Sequence, residues 1–232
     1  MKVVTVIPAR GGSKSIPKKN IQQLAGRPLI SYSIDYSLKS DLVSATIVST
    51  DSNEISAIAS DEGAEVPFLR PAEFATDESV DYEFMRHALD FFEAQGRFYD
   101  VYVLLRPTSP LRPPGLIERA MDLLAANPSA TSVRSVTKAK EHPFRMWTVE
   151  PSGEMHGFVR DIGEPYNMPR QALPTLYFQT GDIELMRRDT LKSGSVSGDN
   201  VCALVINHDE MVDIDSWQDL EKAGIKICDD AG

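Results

Sequence analysis

The chain has 232 residues and a formal net charge of −10 at pH 7, with 42% hydrophobic and 25% charged residues. This composition is typical of a single soluble globular domain. The acidic balance argues against a general nucleic-acid-binding protein, which needs a net basic surface, and no apolar run reaches the roughly 18 residues that span a membrane.

The cysteines and the N-terminal residues indicate a reducing environment. Cys202 and Cys228 have neither the spacing of a metal site nor that of a disulfide framework. The first apolar run is too short for a signal-peptide core and is not followed by a small-residue cleavage site. We therefore expect a cytoplasmic protein.

Short apolar runs alternate with amphipathic segments along most of the chain. The apolar runs predict strand structure in residues 3–9, 44–50, 64–69, 100–107, 130–136, 177–191 and 201–207. The amphipathic segments predict helices in residues 27–40, 52–63, 80–96, 114–128 and 213–224. Strands that alternate with helices imply an α/β fold whose mostly parallel sheet is covered on both faces.

Residues with strong preferences for helix ends support these assignments. Pro28 suits the first turn of the first helix, and Ser52 or Asn53 begins the second. Gly63 is expected to end the second helix, and Ser216 is expected to cap the last.

The alternation stops in residues 138–175, which are rich in proline and show no helical period. The apolar residues there fall in two short stretches around the turn sequence EPSGE, which predicts a β-hairpin. This segment is either a surface excursion or an arm that buries its apolar residues against a second subunit. We therefore divide the chain into a domain of residues 1–137 and 176–232 and an inserted arm of residues 138–175.

The stretch VIPARGGSKSIPKKN concentrates positive charge directly after the first strand. Gly11 and Gly12 allow backbone N–H groups to approach phosphate oxygens, and Arg10 and Lys14 are among the cations that suit a triphosphate. The stretch matches neither G-x-x-x-x-G-K-[ST] nor G-x-G-x-x-G. A solvated basic loop is the alternative, but ligands of open α/β sheets bind at the carboxyl ends of strands, where this loop lies.

Two more polar clusters adjoin predicted elements: one follows a strand and the other precedes a helix. RPTSPLRP begins at Arg106 after a strand, and its prolines make a rigid turn that suits a site or a plain loop. LRPAEFATDES carries Arg70, Asp77 and Ser79 before a long helix. Asp77 and Ser79 are either site residues or N-caps of that helix.

The sequence VDIDSW forms the last cluster. In an extended chain Asp213 and Asp215 point the same way, and two carboxylates on one face repel each other unless a cation lies between them. Mg²⁺ together with phosphate oxygens is the usual cation. The alternative is a capped turn, in which Asp215 or Ser216 starts the last helix.

These four clusters, in this order, resemble the CMP-sialic acid synthetase (acylneuraminate cytidylyltransferase) family, including its relatives acting on other nonulosonic acids such as legionaminic acid. The stretches IPARGGSKSIPKKN, RPAEFATD, RPTSPLR, PRQALP and VDIDSWQDL carry the resemblance over nearly the whole chain. It implies a Rossmann-like three-layer α/β/α nucleotidyltransferase domain and a homodimer or tetramer with an exchanged β-rich dimerisation arm. It also implies a Mg²⁺-dependent reaction in which CTP and an acidic nine-carbon sugar give the CMP-sugar and diphosphate.

The resemblance also implies roles for individual residues. The catalytic set is Arg10, Lys19, Asp213 and Asp215, the two aspartates being the Mg²⁺ ligands. The residues expected to bind the nucleotide are Ala9, Gly11, Gly12, Ser13, Lys14, Asn20, Arg70, Asp77 and Ser79. The residues expected to bind the sugar are Arg106, Thr108, Ser109, Arg170, Gln171, Thr180, Gly181 and Glu184. Of these, Arg170 matches an arginine that reaches the sugar site of the partner subunit.

The chain departs from the sialate enzymes where they bind the sugar. Arg106 replaces a glutamine, Thr180 an asparagine and Glu184 a tyrosine, and the paired aromatic residues that follow are missing from KSGSVSGDN. A carboxylate is costly to bury unpaired, so Glu184 is expected to pair with Arg106 or with an amine or hydroxyl of the ligand. All of these departures lie on the sugar side of the site. We therefore expect CTP to be the nucleotide, and we expect an acceptor other than N-acetylneuraminic acid.

Three functions remain open from the sequence. The first is a CMP-nonulosonate synthetase, and the second is a nucleotidyltransferase that uses a different acceptor or nucleoside triphosphate. The third is a non-catalytic domain that binds nucleotides or nucleotide sugars. The paired aspartates disfavour the third, because a binding domain does not need metal carboxylates.

Overall fold

The structure is a computed structural model that describes residues 1–207 and 212–230. The predicted domain end at residue 232 thus lies outside the described residues. The strands are β1 (Val3–Pro8), β2 (Gln23–Leu24), β3 (Arg27–Pro28), β4 (Val43–Ser49), β5 (Val101–Leu104), β6 (Ser132–Lys138), β7 (Trp147–Val149), β8 (Met155–Gly157), β9 (Tyr177–Arg187) and β10 (Val201–Val205). The helices are α1 (Leu29–Leu38), α2 (Asn53–Asp61), α3 (Asp81–Ala94), α4 (Leu116–Ala126), α5 (Arg188–Lys192) and α6 (Trp217–Asp230).

Six of the described strands form one sheet in the order β10-β6-β9-β5-β1-β4. β1 pairs in parallel with β4 and β5, and β10 pairs in parallel with β6. Only β9 among them runs antiparallel, against both β5 and β6. The mostly parallel sheet predicted from the sequence is therefore confirmed.

Helices cover both faces of this sheet, so the fold has three layers. One face buries apolar side chains of α1, α2 and α4, including Ile34 and Leu124. The other face buries side chains of α3 and α5, including Phe92 and Leu191. β5 is buried throughout because it lies inside the sheet with helices on both sides. The expected α/β/α architecture is confirmed.

Three of the residues predicted to mark helix ends lie at those ends, whereas Pro28 precedes α1 as its N-cap and is not in its first turn. Ser52 is the N-cap of α2 and accepts a hydrogen bond from the backbone N–H of Ile55 (3.4 Å). Gly63 has φ 92°, a left-handed conformation that favours glycine after a helix. Ser216 and Asp219 exchange hydrogen bonds at the start of α6, which confirms the predicted cap.

The strand predicted for residues 64–69 is wrong. This segment makes only isolated parallel bridges, from Glu65 to Ile47 and from Leu69 to Thr50. Pro67 lies between them and has no backbone N–H to donate, so a continuous ladder cannot form there. The segment therefore runs beside β4 as an irregular edge.

The segment assigned to the arm, residues 138–175, contains a two-stranded sheet of its own. β7 and β8 pair as an antiparallel hairpin, which confirms the expected hairpin around EPSGE. Val149 and Phe158 in this segment are exposed in the single chain. Its role as a separate arm stays a prediction.

Among the residues that the structure describes, none of the helices combines the length and the apolar character that a membrane span requires.

Candidate active site

A cleft of about 490 Å³ opens at the carboxyl ends of β1 and β5. It is lined by eleven of the residues expected from the sequence: Arg10, Ser13, Lys14, Lys19, Asn20, Arg70, Asp77, Ser79, Arg106, Thr108 and Asp215. All four sequence clusters thus contribute to one cleft. The carboxyl ends of parallel strands meet at the same edge of a sheet, which explains this convergence.

The loop after β1 is held in place by Asp51. The backbone N–H of Gly11 donates to Asp51 Oδ1 (2.8 Å). A Cβ at Gly11 would lie 3.2 Å from the Cβ of Ser52, so the close approach of the two chain segments favours glycine. This N–H is therefore engaged within the protein, unlike the free phosphate donor that the sequence suggested. Nothing lies within 4 Å of the Cβ position of Gly12.

Two cations of this loop meet Asp77. Arg10 Nη2 lies 2.8 Å from Asp77 Oδ1, and Lys14 Nζ contacts the other carboxylate oxygen. Arg10 Nη1 also donates to the carbonyl of Thr76 (2.5 Å). The hydrogen bond from Lys14, with that from Arg10, lowers the pKa of Asp77 below its usual range. Asp77 thus holds, in the free protein, the two cations that the sequence assigned to a triphosphate.

The end of the same loop is tied back to its beginning and to the last cluster. Asn20, which is buried, donates through Nδ2 to the carbonyl of Arg10 (3.0 Å). Lys19 Nζ donates to the carbonyl of Ile214 (2.8 Å) and to Asp215 Oδ1 (3.1 Å). Lys19 therefore connects the basic loop directly to one of the paired aspartates.

Arg70 and Ser79 order the segment that carries Asp77. Arg70 donates through Nε to Ser49 Oγ (3.0 Å) and stacks on the ring of Phe84 (4.7 Å to the centroid). Burial lowers the pKa of Arg70 to about 10. Ser79 Oγ accepts from the backbone N–H of Thr76 (3.0 Å).

The helix-cap alternative for this segment does not hold. The N-cap position of α3 is Val80, and Glu83 accepts a hydrogen bond from its backbone N–H (3.1 Å). Neither Asp77 nor Ser79 caps the helix. The side chains of both residues are left facing the cleft.

Asp213 and Asp215 flank the buried Ile214. The backbone N–H of Ile214 donates to the carbonyl of Thr108 (2.8 Å), which fixes the segment against the loop after β5. The pKa of Asp213 is raised, first by burial and also by the charge of Asp215, while a hydrogen bond from Thr108 opposes the rise. Because Ser216 caps α6, Asp215 is free of the capping role that was its alternative.

These two carboxylates fit a magnesium ion. Mg²⁺ usually binds through one or two carboxylates together with substrate phosphates and water. The described residues contain no group of three or more His, Cys, Asp or Glu side chains that could hold a metal without such help. The unfavourable charge of Asp215 on Asp213 is also what a divalent cation would relieve.

On the other side of the cleft, Arg106 pairs with Glu184, as expected from the sequence. Arg106 Nη2 lies 2.7 Å from Glu184 Oε1, and Glu184 is only 2% exposed. Two partners were not predicted. Asp81, at the start of α3, accepts from both terminal nitrogens of Arg106 (3.0 and 2.5 Å), and Arg134 Nη2 of β6 lies 2.9 Å from Glu184 Oε2.

No sequence signal identified these two partners. Asp81 is an acidic residue in the first turn of a helix, where acids are common for helix-dipole reasons. Arg134 lies in the middle of a strand. Their pairing depends on which elements are neighbours in space.

Three expected sugar-binding residues lie behind Arg106. Thr180 Oγ1 donates to Ser135 Oγ (2.7 Å), where β9 bulges between its pairings with Arg134 and Val136. A Cβ at Gly181 would lie 2.9 Å from Ser109 Oγ, so only glycine fits there without displacement. Thr180, Gly181 and Ser109 thus support the cleft and do not line it.

Arg170 and Gln171 are not among the residues that line the cleft of their own chain. They lie in a short 3₁₀ turn, Arg170–Ala172, of residues 138–175. Arg170 lines a separate depression with Lys140 and Arg145. Within one chain the structure does not bring these two residues to the other predicted sugar-binding residues. Ala9, the remaining expected residue, is buried beside the loop.

Comparisons with known proteins agree with this geometry. A family model described as cytidylyltransferase matches residues 4–149. N-acylneuraminate cytidylyltransferase of Escherichia coli is 32% identical over 96% of this chain and 51% of its own length. CMP-N,N'-diacetyllegionaminic acid synthase of Legionella pneumophila is 37% identical over 67% of this chain and 66% of its own length. The chain thus spans about half the length of the first relative and about two thirds of the second.

A solved structure supports the fold. A CMP:2-keto-3-deoxy-manno-octonic acid synthetase complexed with CTP superposes with a TM-score of 0.74, over 99% of this chain and 100% of its own. The two sequences are only 18% identical, so this likeness concerns the fold alone.

Proposed function

The chain belongs to the cytidylyltransferase family, and from this premise we propose that it transfers the cytidylyl group of CTP to an acidic 2-keto sugar of the nonulosonic class. The observation that carries the proposal is the cleft in which a basic loop faces Asp215, with Asp213 two residues before it in the chain. Cations suit the triphosphate, and carboxylates suit the metal that accompanies it.

In the proposed reaction the anomeric hydroxyl of the sugar attacks the α-phosphorus of CTP. A new bond forms between that oxygen and phosphorus, and the hydroxyl proton passes to water. The bond from the α-phosphorus to the oxygen that bridges it to the β-phosphate breaks, and diphosphate leaves with that electron pair. Arg10, Lys14 and Lys19 would bind the triphosphate and stabilise the departing diphosphate. Ser13 and Asn20 lie in the same loop and would orient it.

Free CTP has to compete with Asp77 for these cations. Arg10 and Lys14 both contact the Asp77 carboxylate, so the triphosphate would replace that contact as it binds. Arg70 and Ser79, which order this segment, would place the cytidine beside it.

We propose Mg²⁺ as the metal, held by Asp213 and Asp215. When bound, the ion would neutralise phosphate charge and favour attack at phosphorus. Lys19 contacts Asp215 and is also part of the basic loop. It would therefore hold the aspartates in a fixed position relative to the triphosphate.

The acceptor is proposed to be a nonulosonic acid other than N-acetylneuraminic acid. The two curated relatives act, by their names, on different acylated sugars. In this chain Arg106 and Glu184 occupy positions that are neutral in the sialate enzymes, and they pair with each other. The shape and hydrogen bonding of this side of the cleft therefore differ from those of a sialate site.

We also propose a cytoplasmic homodimer, or a tetramer of two such dimers, in which residues 138–175 reach the partner. Val149 and Phe158 are exposed in the single chain and would be covered by that contact. Arg170 and Gln171 would then meet the sugar site of the partner subunit.

The test is diphosphate release by the purified protein with Mg²⁺, each of the four common nucleoside triphosphates and a panel of acidic sugars. We expect release with CTP and at least one nonulosonic acid. Release with another triphosphate, or with another class of acceptor, would support the broader nucleotidyltransferase function. CTP binding without release for any acceptor would support the non-catalytic alternative.

A further inference from the structure

Four charged side chains form one connected network beside the cleft. Asp81, Arg106, Glu184 and Arg134, here called the charge quartet, come from α3, the loop after β5, β9 and β6 respectively. Arg106 contacts both Asp81 and Glu184, and Glu184 contacts Arg134. Asp81 and Arg106 line the cleft, whereas Glu184 is buried behind them. The part of the quartet that a ligand can reach is therefore the Asp81–Arg106 pair.

The charges of the quartet cancel, because it has two arginines and two carboxylates. A carboxylate of the acceptor placed against Arg106 would also face Asp81 and Glu184, which repel it. A neutral hydroxyl or amide meets no such repulsion. It can accept a hydrogen bond from Arg106 and donate one to Asp81, whose side chains are 28% and 29% exposed.

We infer that the charge quartet recognises a neutral polar substituent of the acceptor, a hydroxyl or an acylamino group, and that Asp81 and Arg134 determine acceptor specificity with Arg106 and Glu184. The inference rests on the proposed function and specifies how the same cleft selects its sugar. Asp81 contacts the substituent directly. Arg134 is a positioning residue, since it holds Glu184 and through it Arg106.

The quartet also predicts what a partial exchange would do. Replacing only Arg106 with glutamine and Glu184 with tyrosine leaves Asp81 without its arginine and Arg134 without its carboxylate. Removing one member of a buried ion pair is costlier than removing both. Conversion toward a sialate-like site therefore needs changes at all four positions.

The experiment compares two acidic sugars that differ at one carbon, a hydroxyl on one and an acetamido group on the other. Diphosphate release with CTP is measured for the wild type, Asp81→Asn and Arg134→Gln. We expect each variant to change the ratio of kcat/KM between the two sugars by about tenfold, which corresponds to about 1.4 kcal/mol. The KM for CTP should stay within about twofold, because no triphosphate contact is removed.

Asp90→Asn is the matched control. Asp90 lies on the same helix and pairs with Arg86 (2.8 Å), and neither residue lines the cleft. This variant should leave the ratio unchanged. Thermal melting of each variant shows that it is folded, and Arg134→Gln provides an independent result if Asp81→Asn is unstable.

Two outcomes overturn the inference while leaving the proposed function intact. One is an active wild type whose ratio is unchanged in both folded variants. The other is an equal loss for both sugars, which would mean that the quartet does not distinguish the substituent in which they differ. A wild type that releases diphosphate with no acidic sugar overturns the proposed function and the inference together.

Discussion

Replacing Arg106 with glutamine should destabilise the protein far more than removing an exposed arginine. The change removes the cation between Asp81 and Glu184, and Glu184 is only 2% exposed. Breaking a buried ion pair costs about 3–5 kcal/mol. Glu184 keeps Arg134 and the pair with Asp81 is partly exposed, so we expect about 3 kcal/mol, the lower end of that range. For a chain of this size the Tm should then fall by roughly 6–12 °C.

The assay is thermal and urea unfolding followed by circular dichroism, with Arg86→Gln as the control. Arg86 and Asp90 pair on the surface of α3, with side chains 35% and 53% exposed, and exposed pairs contribute roughly 0–1 kcal/mol. The double variant Arg106→Gln/Asp81→Asn should recover about 1 kcal/mol of the loss, because Asp81 is no longer left unpaired. Equal destabilisation by Arg106→Gln and Arg86→Gln would refute the argument that the quartet is a buried, interdependent unit.

Three other predictions follow from the cleft and the arm. Asp213→Asn and Asp215→Asn should each slow diphosphate release by about 10²-fold or more, while the Tm measured without metal changes little. Full activity of either variant at saturating Mg²⁺ would show that the residue is not a metal ligand. Asp77→Asn should lower the KM for CTP roughly two- to fivefold, because Arg10 and Lys14 would no longer pair with a carboxylate that competes with the triphosphate. A raised KM would show instead that Asp77 binds the nucleotide. Sedimentation at micromolar concentration should give about twice the 25.7 kDa chain mass, and a monomer would contradict the exchanged arm.

Much of the fold could be predicted because the relevant signals are local. Apolar runs and helix-end residues such as Ser52 and Gly63 report on the segments in which they occur. Residues 64–69 were mispredicted because their apolar content suggests a strand while Pro67 interrupts the hydrogen bonding. The antiparallel direction of β9 had no local signal, since direction depends on the path of the preceding arm.

The convergence of the four clusters on one cleft was also predictable, because each lies near a strand end or a helix start that topology brings to one edge. The contact of Gly11 with Asp51 was not, although it decides which backbone N–H groups stay free for a ligand. A carboxylate after one strand and a glycine after another become partners only when those strands are adjacent in the sheet, as β1 and β4 are.

The two sides of the cleft differ in how much the sequence alone reveals, and the reason bears on specificity. The proposed triphosphate contacts lie almost entirely in residues 10–20, so one contiguous stretch identifies them. The acceptor side is assembled from four separate elements whose charges balance only as a set. A single substitution there leaves a buried or half-buried charge unpaired, so it lowers stability at the same time as it changes the relative rates with two acceptors. A complete change of the preferred acceptor should therefore need combined substitutions that keep the net charge of the quartet, whereas nucleotide binding can be altered one residue at a time.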